Sequence, residues 1–374
     1  MRLTQITPQN FRNLFPEPVS LGSGTTVVAG ENAQGKSNLL EAVALLCGQR
    51  SFRGAVPAEI SSVGEHFAID GEARRGFETE RFHLTWRKGE GRAFFRAGKA
   101  ITYREASASL PAVFLAPEHR QIFDGGPAAR RRFLDRLVLG ARPAAGADLA
   151  RFERALSERN ALLARCRDGR DGRRPAAGEL EAWSDELAAA GSAVRRHRVA
   201  VLEQWRPLFQ ELCEDAGPEY AGIEVRYEAG DEGEADLRAA LGRLLAIERR
   251  RGHTLAGPHR DELLFQREGR ALSSCASTGE LHRTLSLLRL SEWHAVERAT
   301  GEAPLFGADD FDAGLSPAWV ESLLASLPKG APVLLTTATE ASRWRRRADN
   351  VLEMRAGRAH ELPRAVTEGI ASSR

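Results

Sequence analysis

The chain has 374 residues, of which 42% are hydrophobic and 28% charged, and its formal net charge is +2. That is an ordinary globular balance for one large domain or two medium ones, and bulk charge does not announce nucleic-acid binding. No run of about 18 apolar residues is present to span a membrane, and residues 1–10 lack the apolar centre of a secretory signal, so the expected compartment is the cytoplasm. Cys47, Cys166, Cys213 and Cys275 form no Cys-x-x-Cys pair, and the nine histidines form no metal-spaced pair. Neither a disulfide framework nor a zinc site is expected.

The first informative segment, residues 25–30, reads TTVVAG, a β-branched run that predicts a buried strand entering a loop. The loop, residues 30–37, reads GENAQGKS: two glycines bracket four residues and are followed by Lys-Ser. This is the P-loop pattern, and residues 37–47 continue it as a mostly apolar helix, the context the motif requires. Gly30 and Gly35 let the backbone bend closely round phosphates. Successive N–H groups through Glu31, Asn32, Ala33 and Gln34 to Asn38 form an anion nest under a helix N-terminus. Lys36 then neutralises the β- and γ-phosphates of ATP, and Ser37 offers its hydroxyl to Mg²⁺.

Residues 67–96 alternate apolar and polar side chains and predict antiparallel strands with Phe82, Leu84 and Trp86 on one face. Residues 112–115 read as a buried strand. From 148 to 216 the period becomes helical, with Leu149, Phe152, Leu156, Leu162 and Leu163 on one face. Leu180, Trp183, Leu187, Val194, Val201 and Leu208 form a second face. Two antiparallel helices joined by a basic tip at 168–178 follow, the second of about 33 residues and roughly 50 Å. Arginine is clustered at 130–132, at 165–174 and around Trp344; such clusters suit phosphate contacts, and equally a solvated surface.

Residues 276–290 read ASTGELHRTLSLLRL, a Ser-x-Gly-Glu segment opening a helix predicted over 281–296. Ser277 with Glu280 three residues on has the letters of a helix cap. In ABC-type ATPases this position carries the signature motif, which aims a helix N-terminus at the nucleotide of a partner copy through Ser277 and Gly279. Residues 304–310 read PLFGADD, a short strand ending in two acids, followed by a further strand at 333–337. Asp309 is placed to hold Mg²⁺ and Asp310 to orient or deprotonate the attacking water. The order P-loop, long insertion, Ser-x-Gly, acid pair separates this class from kinases and small GTPases.

Over nearly its whole length the chain resembles the RecF family. The resemblance is carried by Asn10-Phe11-Arg12-Asn13, by Asn38-Leu39-Leu40-Glu41-Ala42 after the P-loop and by Ser51-Phe52-Arg53. It is most specific at Pro117-Glu118 with GGPAARRRFLD (125–135) and at Gly257-Pro258-His259-Arg260-Asp261. The sequence departs from the family pattern at Ala33, a common glycine; at Gly307 and Ala308, where bulky aliphatics are usual and the strand is therefore weakly specified; and at Glu280, a common glutamine. After Asp310 it has Ala313-Gly314-Leu315-Ser316 in place of Ser-Glu-Leu-Asp. The resemblance implies an α/β fold, an ABC-type P-loop ATPase head of mixed sheet and helices (1–140 with 246–374) interrupted by a short antiparallel helical arm (141–245). It further implies a weak, DNA-stimulated ATPase of recombinational repair. Such a protein dimerises on ATP, binds duplex DNA and double-strand/single-strand junctions, and acts with RecR and RecO to load RecA. On these terms Lys36, Asp309, Asp310 and Ser277 serve hydrolysis, and Ser37 and Asp309 hold Mg²⁺. A nucleotide-gated clamp without turnover, and a related ATPase serving another nucleic acid, are the competing readings.

Overall fold

The alternating N-terminal residues and the apolar run after Gly24 become strands of two different sheets. The computed structural model describes residues 1–168, 177–230, 236–344 and 348–363. These fall into two units, Met1–Arg120 with Thr278–Arg374, and Gln121–Ser277. In chain order the first unit begins with β1 (Arg2–Gln9), β2 (Val19–Ser20), β3 (Thr25–Ala29) and helix α1 (Lys36–Leu46). β4 (His66–Arg75), β5 (Glu78–Arg87), β6 (Gly91–Arg96), β7 (Lys99–Ile101) and β8 (Ala112–Leu115) follow. The second unit carries α2 (Pro127–Ala141), α3 (Gly146–Asp168), α4 (Ala177–Ala216), β9 (Ile223–Glu228), α5 (Leu237–Arg251), β10 (Glu262–Arg267) and β11 (Arg270–Ala271). The chain then returns with α6 (Thr278–Thr300), β12 (Leu305–Ala308), α7 (Pro317–Ala325), β13 (Val333–Thr337), β14 (Asn350–Arg355) and β15 (Arg358–Leu362).

The first unit has an antiparallel sheet, β2-β1-β4-β5-β6-β7, and a mostly parallel one, β15-β14-β3-β13-β12-β8, in which only β15 runs against its neighbour. In the antiparallel sheet the period-2 pattern sends Phe67 and Ile69 of β4, and Phe82, Leu84 and Trp86 of β5, into the core. The parallel strands are short, and the central β12 and β13 are buried throughout, as strands covered on both faces are. α1 is buried nearly all round, its leucines sharing one core with Leu3, Ile69 and Leu84 of one sheet and Val28 and Leu334 of the other.

Gly307 and Ala308 do not weaken β12. Gly307 lies beside Phe114 of β8, and a Cβ there would sit 2.4 Å from the Phe114 ring and 3.0 Å from Leu40 Cδ1. The bulk expected on β12 is supplied by its neighbour, and the missing side chain is the space that Phe114 fills.

In the second unit α3 and α4 pack antiparallel, and α4 runs for 40 residues, about 60 Å. The connection at 169–176, expected as a basic tip, lies outside the described residues. The expected cuts at 140/141 and 245/246 fall inside this unit: α2 packs on α4 and β10, and α5 packs on α3 and α4. Arg130 forks onto Glu262 at 2.8 and 3.1 Å, and Arg131 donates to the Asp261 carbonyl at 3.1 Å, so these two arginines are internal fasteners rather than free cations. Asp261, fully buried, accepts from Arg195 at 2.6 and 3.1 Å, from the Gly230 N–H at 3.0 Å and from the Tyr227 hydroxyl. Burial pushes the Asp261 carboxyl up, but the Arg195, Tyr227 and Gly230 hydrogen bonds outweigh it and hold the pKa below the ordinary range. Trp344 is likewise core, packed edge-on to Phe311 at 4.9 Å, while Arg345, Arg346 and Arg347 lie outside the described residues. Among the described residues no helix is long and apolar enough to cross a membrane.

Filling the Gly307 space tests the Phe114 account. Gly307→Val is expected to lower unfolding stability in urea by about 1–3 kcal/mol through overpacking, and Gly307→Val with Phe114→Ala to recover part of that loss. A single variant as stable as wild type would show that the ring gives way freely.

Candidate active site

Parallel strands deliver their C-terminal ends to one edge, and three adjacent ends build the site. β3 runs into the P-loop, β12 runs into Asp309, and β13 lies between them, with Ala29 opposite Thr337 and Ala308 opposite Leu335. The P-loop is pinned from below. A Cβ on Gly30 would sit 2.6 Å from the Met354 carbonyl, and Gly35, at φ +111°, caps α1. Ala33 stands at φ +66°, the left-handed region where glycine is easier by roughly 1–2 kcal/mol. The departure from the family glycine is thus accommodated as local strain. Gln34 accepts from the Gly357 N–H at 2.9 Å through its carbonyl, and its side-chain oxygen takes the Ala356 N–H at 2.6 Å.

Lys36 is almost wholly buried, and its Nζ donates to the carbonyls of Gly30 and Glu31, both at 2.8 Å. Its ammonium is therefore held within the loop. Asn13 braces the loop from the side, donating to the Ala33 carbonyl at 3.2 Å and accepting from Asn38 at 2.7 Å. Beneath, Glu41 is fully buried on α1 and takes the Arg12 fork at 2.8 and 3.1 Å together with the Ser51 hydroxyl.

The acids lie opposite. Asp309 is buried, and its Oδ1 accepts from Thr336 Oγ1 at 2.6 Å. The same Thr336 oxygen accepts from the Asp310 N–H at 2.9 Å. One hydroxyl on β13 thus fixes both acids, including the left-handed backbone of Asp310 at φ +44°. Two residues on, Asp312 accepts from Thr337 at 2.8 and 2.9 Å and from Thr339 at 2.7 Å. Burial, then the Asp309 charge, pushes the Asp310 carboxyl up, against the pull of Lys36 and Arg53. Burial also raises Glu118, outweighing its own backbone N–H, with the Asp309 charge adding to the rise; one Glu118 oxygen is buried without a hydrogen-bond partner.

A cleft of about 340 Å³ opens between these groups, lined by Asn32, Ala33, Gly35, Lys36, Ser37, Asn38, Arg53 and Asp310. One side offers an ammonium, a guanidinium and a helix N-terminus, and the other the Asp310 carboxylate, groups that suit a polyphosphate with a divalent cation; Asp309 is buried and does not line the cleft. Among the described residues no three His, Cys, Asp or Glu side chains form a metal cage. Mg²⁺ takes one or two protein oxygens and completes its shell with phosphates and water. Ser277 is not among the residues that line this cleft; it is exposed, with Thr278 and Gly279, at the opening of α6. Thr336, Asp312, Thr337, Glu118 and Arg53 are the residues that motif reading left without a role. Only the Ser-Phe-Arg and Pro-Glu elements gave any signal, through the family pattern.

Because the Asp310 pKa is raised, the folded protein binds more protons than the unfolded chain just above the ordinary carboxylate range. Stability attached to this group is therefore lost as pH rises through that window, and the ionised side chain is a cost at neutral pH. Asp310→Asn is expected to melt above wild type at pH 7.5, with the gap closing as pH falls toward 5. Equal melting temperatures at both pH values would contradict the assignment.

No family model matches the chain. Whole-chain relatives do. The DNA replication and repair protein RecF of Anaeromyxobacter sp. (strain Fw109-5) is 34% identical over 357 residues, covering 90% of this chain and 92% of its own. That of Picosynechococcus sp. is 31% identical over 354 residues, 90% of each. Among solved structures, the recombination mediator protein RecF with ATP, of the RecFOR pathway, matches with a TM-score of 0.86 at 25% identity, over 97% of this chain and 98% of that one. An Smc head bound to the C-terminal winged-helix domain of ScpA matches at 0.53 and 14% identity over 97% and 98%, a likeness of fold alone. The ATPase-head fold, the cleft between P-loop and acid pair, and identity above 30% over nine-tenths of the chain lead to one conclusion: this chain belongs to the RecF family of DNA replication and repair proteins.

Proposed function

We propose that the chain is an ATP-driven clamp on DNA. Two copies close face to face on two nucleotides, the closed dimer holds duplex DNA near double-strand/single-strand junctions, and slow, DNA-stimulated hydrolysis reopens it. The observation that carries the reading is the convergence of Lys36, Ser37 and Asp310 on one cleft, in a chain that matches an ATP-bound recombination mediator end to end. The RecFOR pathway named for that structure supports RecO and RecR as partners, with loading of RecA as the outcome.

Each residue has a chemical part. Lys36 exchanges two carbonyl partners for β- and γ-phosphate oxygens, and the N–H groups of residues 31–38 take the remaining charge. Ser37 and the Asp309 oxygen that Thr336 leaves over would hold Mg²⁺, which when bound supplies Lewis-acid stabilisation of charge on the phosphates. Asp310, with a raised pKa, is suited to accept a proton from the attacking water. Ser277 and the N–H of Gly279, exposed at a helix N-terminus, act in trans on the nucleotide of the other copy. Thr336 positions both acids. Asp312, tied to Thr337 and Thr339, places one carboxylate immediately before the stretch where the family's Ser-Glu-Leu-Asp is missing.

Light scattering with and without ATP and duplex DNA tests the clamp. ATP is expected to drive a dimer that retains DNA, and the Asp310→Asn dimer to outlast the wild-type one. A chain that binds ATP, stays monomeric and ignores DNA would keep the fold and lose this function. A dimer that forms and holds DNA with no phosphate release from wild type would favour the clamp without turnover.

Thr336 gives a second test. Thr336→Val keeps the shape but removes the hydroxyl. Turnover is expected to fall about 10- to 100-fold, as when a residue hydrogen-bonded to a metal ligand is removed, with half-maximal turnover shifted to higher Mg²⁺. ATP affinity in EDTA is expected to stay, and Thr336→Ser to restore both quantities. An unshifted Mg²⁺ dependence would remove Thr336 from the mechanism.

A further inference from the structure

One end of the helical arm carries a concentration of arginine that the ATP site does not use. α3 ends with Arg165 and Arg167 in its last turn, and α5 ends with Arg249, Arg250 and Arg251, followed by His253; all six side chains are exposed. The two helix ends lie together. Arg167 donates to the Arg251 carbonyl at 3.4 Å, and a side chain at Gly252 would meet the Arg167 guanidinium at 3.0 Å. The base beneath is rigid: Arg159 and Glu248 pair at 2.6 Å with neither side chain exposed, and Leu162, Leu163 and Leu180 cluster beside them.

Among the described residues Arg165, Arg249, Arg250 and Arg251 make no ion pair. Glu248 is consumed inside, Glu181 pairs with Arg238 at 3.7 Å, and Glu179 sits in the first turn of α4. Cations at a helix C-terminus complement its dipole, and that accounts for one or two at each end. It does not account for Arg165 and the three successive arginines of α5, whose mutual repulsion an external polyanion would relieve. The exclusive use of guanidinium, whose planar fork matches pairs of phosphate oxygens, points to phosphodiesters rather than to scattered carboxylates.

We infer that this arginine cap on the arm is a binding surface for the phosphate backbone of duplex DNA. The inference rests on the clamp reading above and gives it a location outside the nucleotide cleft. Phosphate contacts of this kind position the duplex and carry no sequence information.

The test uses the full chain with ATP and a fluorescent duplex of about 40 base pairs, titrated by anisotropy from 50 to 200 mM salt. Two triple variants are compared with wild type, Arg249→Ala with Arg250→Ala and Arg251→Ala, and the same three positions changed to Lys. The alanine triple is expected to bind about tenfold or more weakly, and its slope of log K against log salt to flatten by about 2–3, close to 0.9 for each phosphate no longer neutralised. The lysine triple is expected to keep most of the slope. ATP-driven dimerisation and DNA-free turnover are expected to be unchanged in both, since these residues are exposed and remote in sequence from every motif of the cleft. An alanine triple with wild-type affinity and slope overturns the inference and leaves the arginines to the helix dipoles. Weaker binding with an unaltered slope also overturns it, because phosphate neutralisation must show in the slope. If wild type itself fails to bind duplex in ATP, the clamp reading falls first and this surface with it.

Discussion

The site depends on the order of strands in one parallel sheet. Parallel pairing sends the C-terminal ends of β3, β13 and β12 to the same edge, at neighbouring lateral positions about 4.8 Å apart. The P-loop and the acid pair are therefore separated by one strand, and the last residues of that strand hydrogen-bond the acidic segment. Thr336 fills the interval with a single hydroxyl that donates to Asp309 and accepts from the Asp310 backbone. The pairing registers hold these ends level, so the spacing between the P-loop and the acid pair is set by backbone hydrogen bonds. α1 converts the arrangement into an anchored one. Its buried Glu41 ties Arg12 and Ser51 to the helix that begins in the P-loop, at the centre of the apolar core.

Much of this was legible in the sequence. The P-loop is a contiguous motif whose chemistry and local structure coincide, and PLFGADD ends a strand in two acids, so both could be read without knowing the fold. β8 and β13 fell where short apolar runs predicted them. What was hidden comes from convergence. Thr336, Thr337 and Glu118 carry ordinary letters, and they matter because β13 and β8 flank β12. A threonine pair at the end of an apolar run has no distinguishing sequence signal. Helical period identified α3 and α4, but α2 and β10 join them only through tertiary packing.

The basic and polar segments show how one composition serves two ends. In GGPAARRRFLD, Arg130 and Arg131 are used up on Glu262 and the Asp261 carbonyl. In Gly-Pro-His-Arg-Asp, the aspartate becomes a buried acceptor that joins α4, β9 and the turn at Gly230. These two segments are the most specific marks of the family, and in this chain both are invested in holding one unit together. Arg165 and the three arginines that end α5 have no such carboxylate partners among the described residues and remain available to solvent. Charge runs that look alike in sequence are separated only by what faces them.

The two hydrogen bonds from Lys36 to Gly30 and Glu31 have a consequence for the shape of the loop. They close it on itself through the chain's own carbonyls, so the path of residues 30–36 is set by folding. The entropy of ordering that segment is then a cost of folding rather than of binding, which is what preorganisation means for a phosphate cradle.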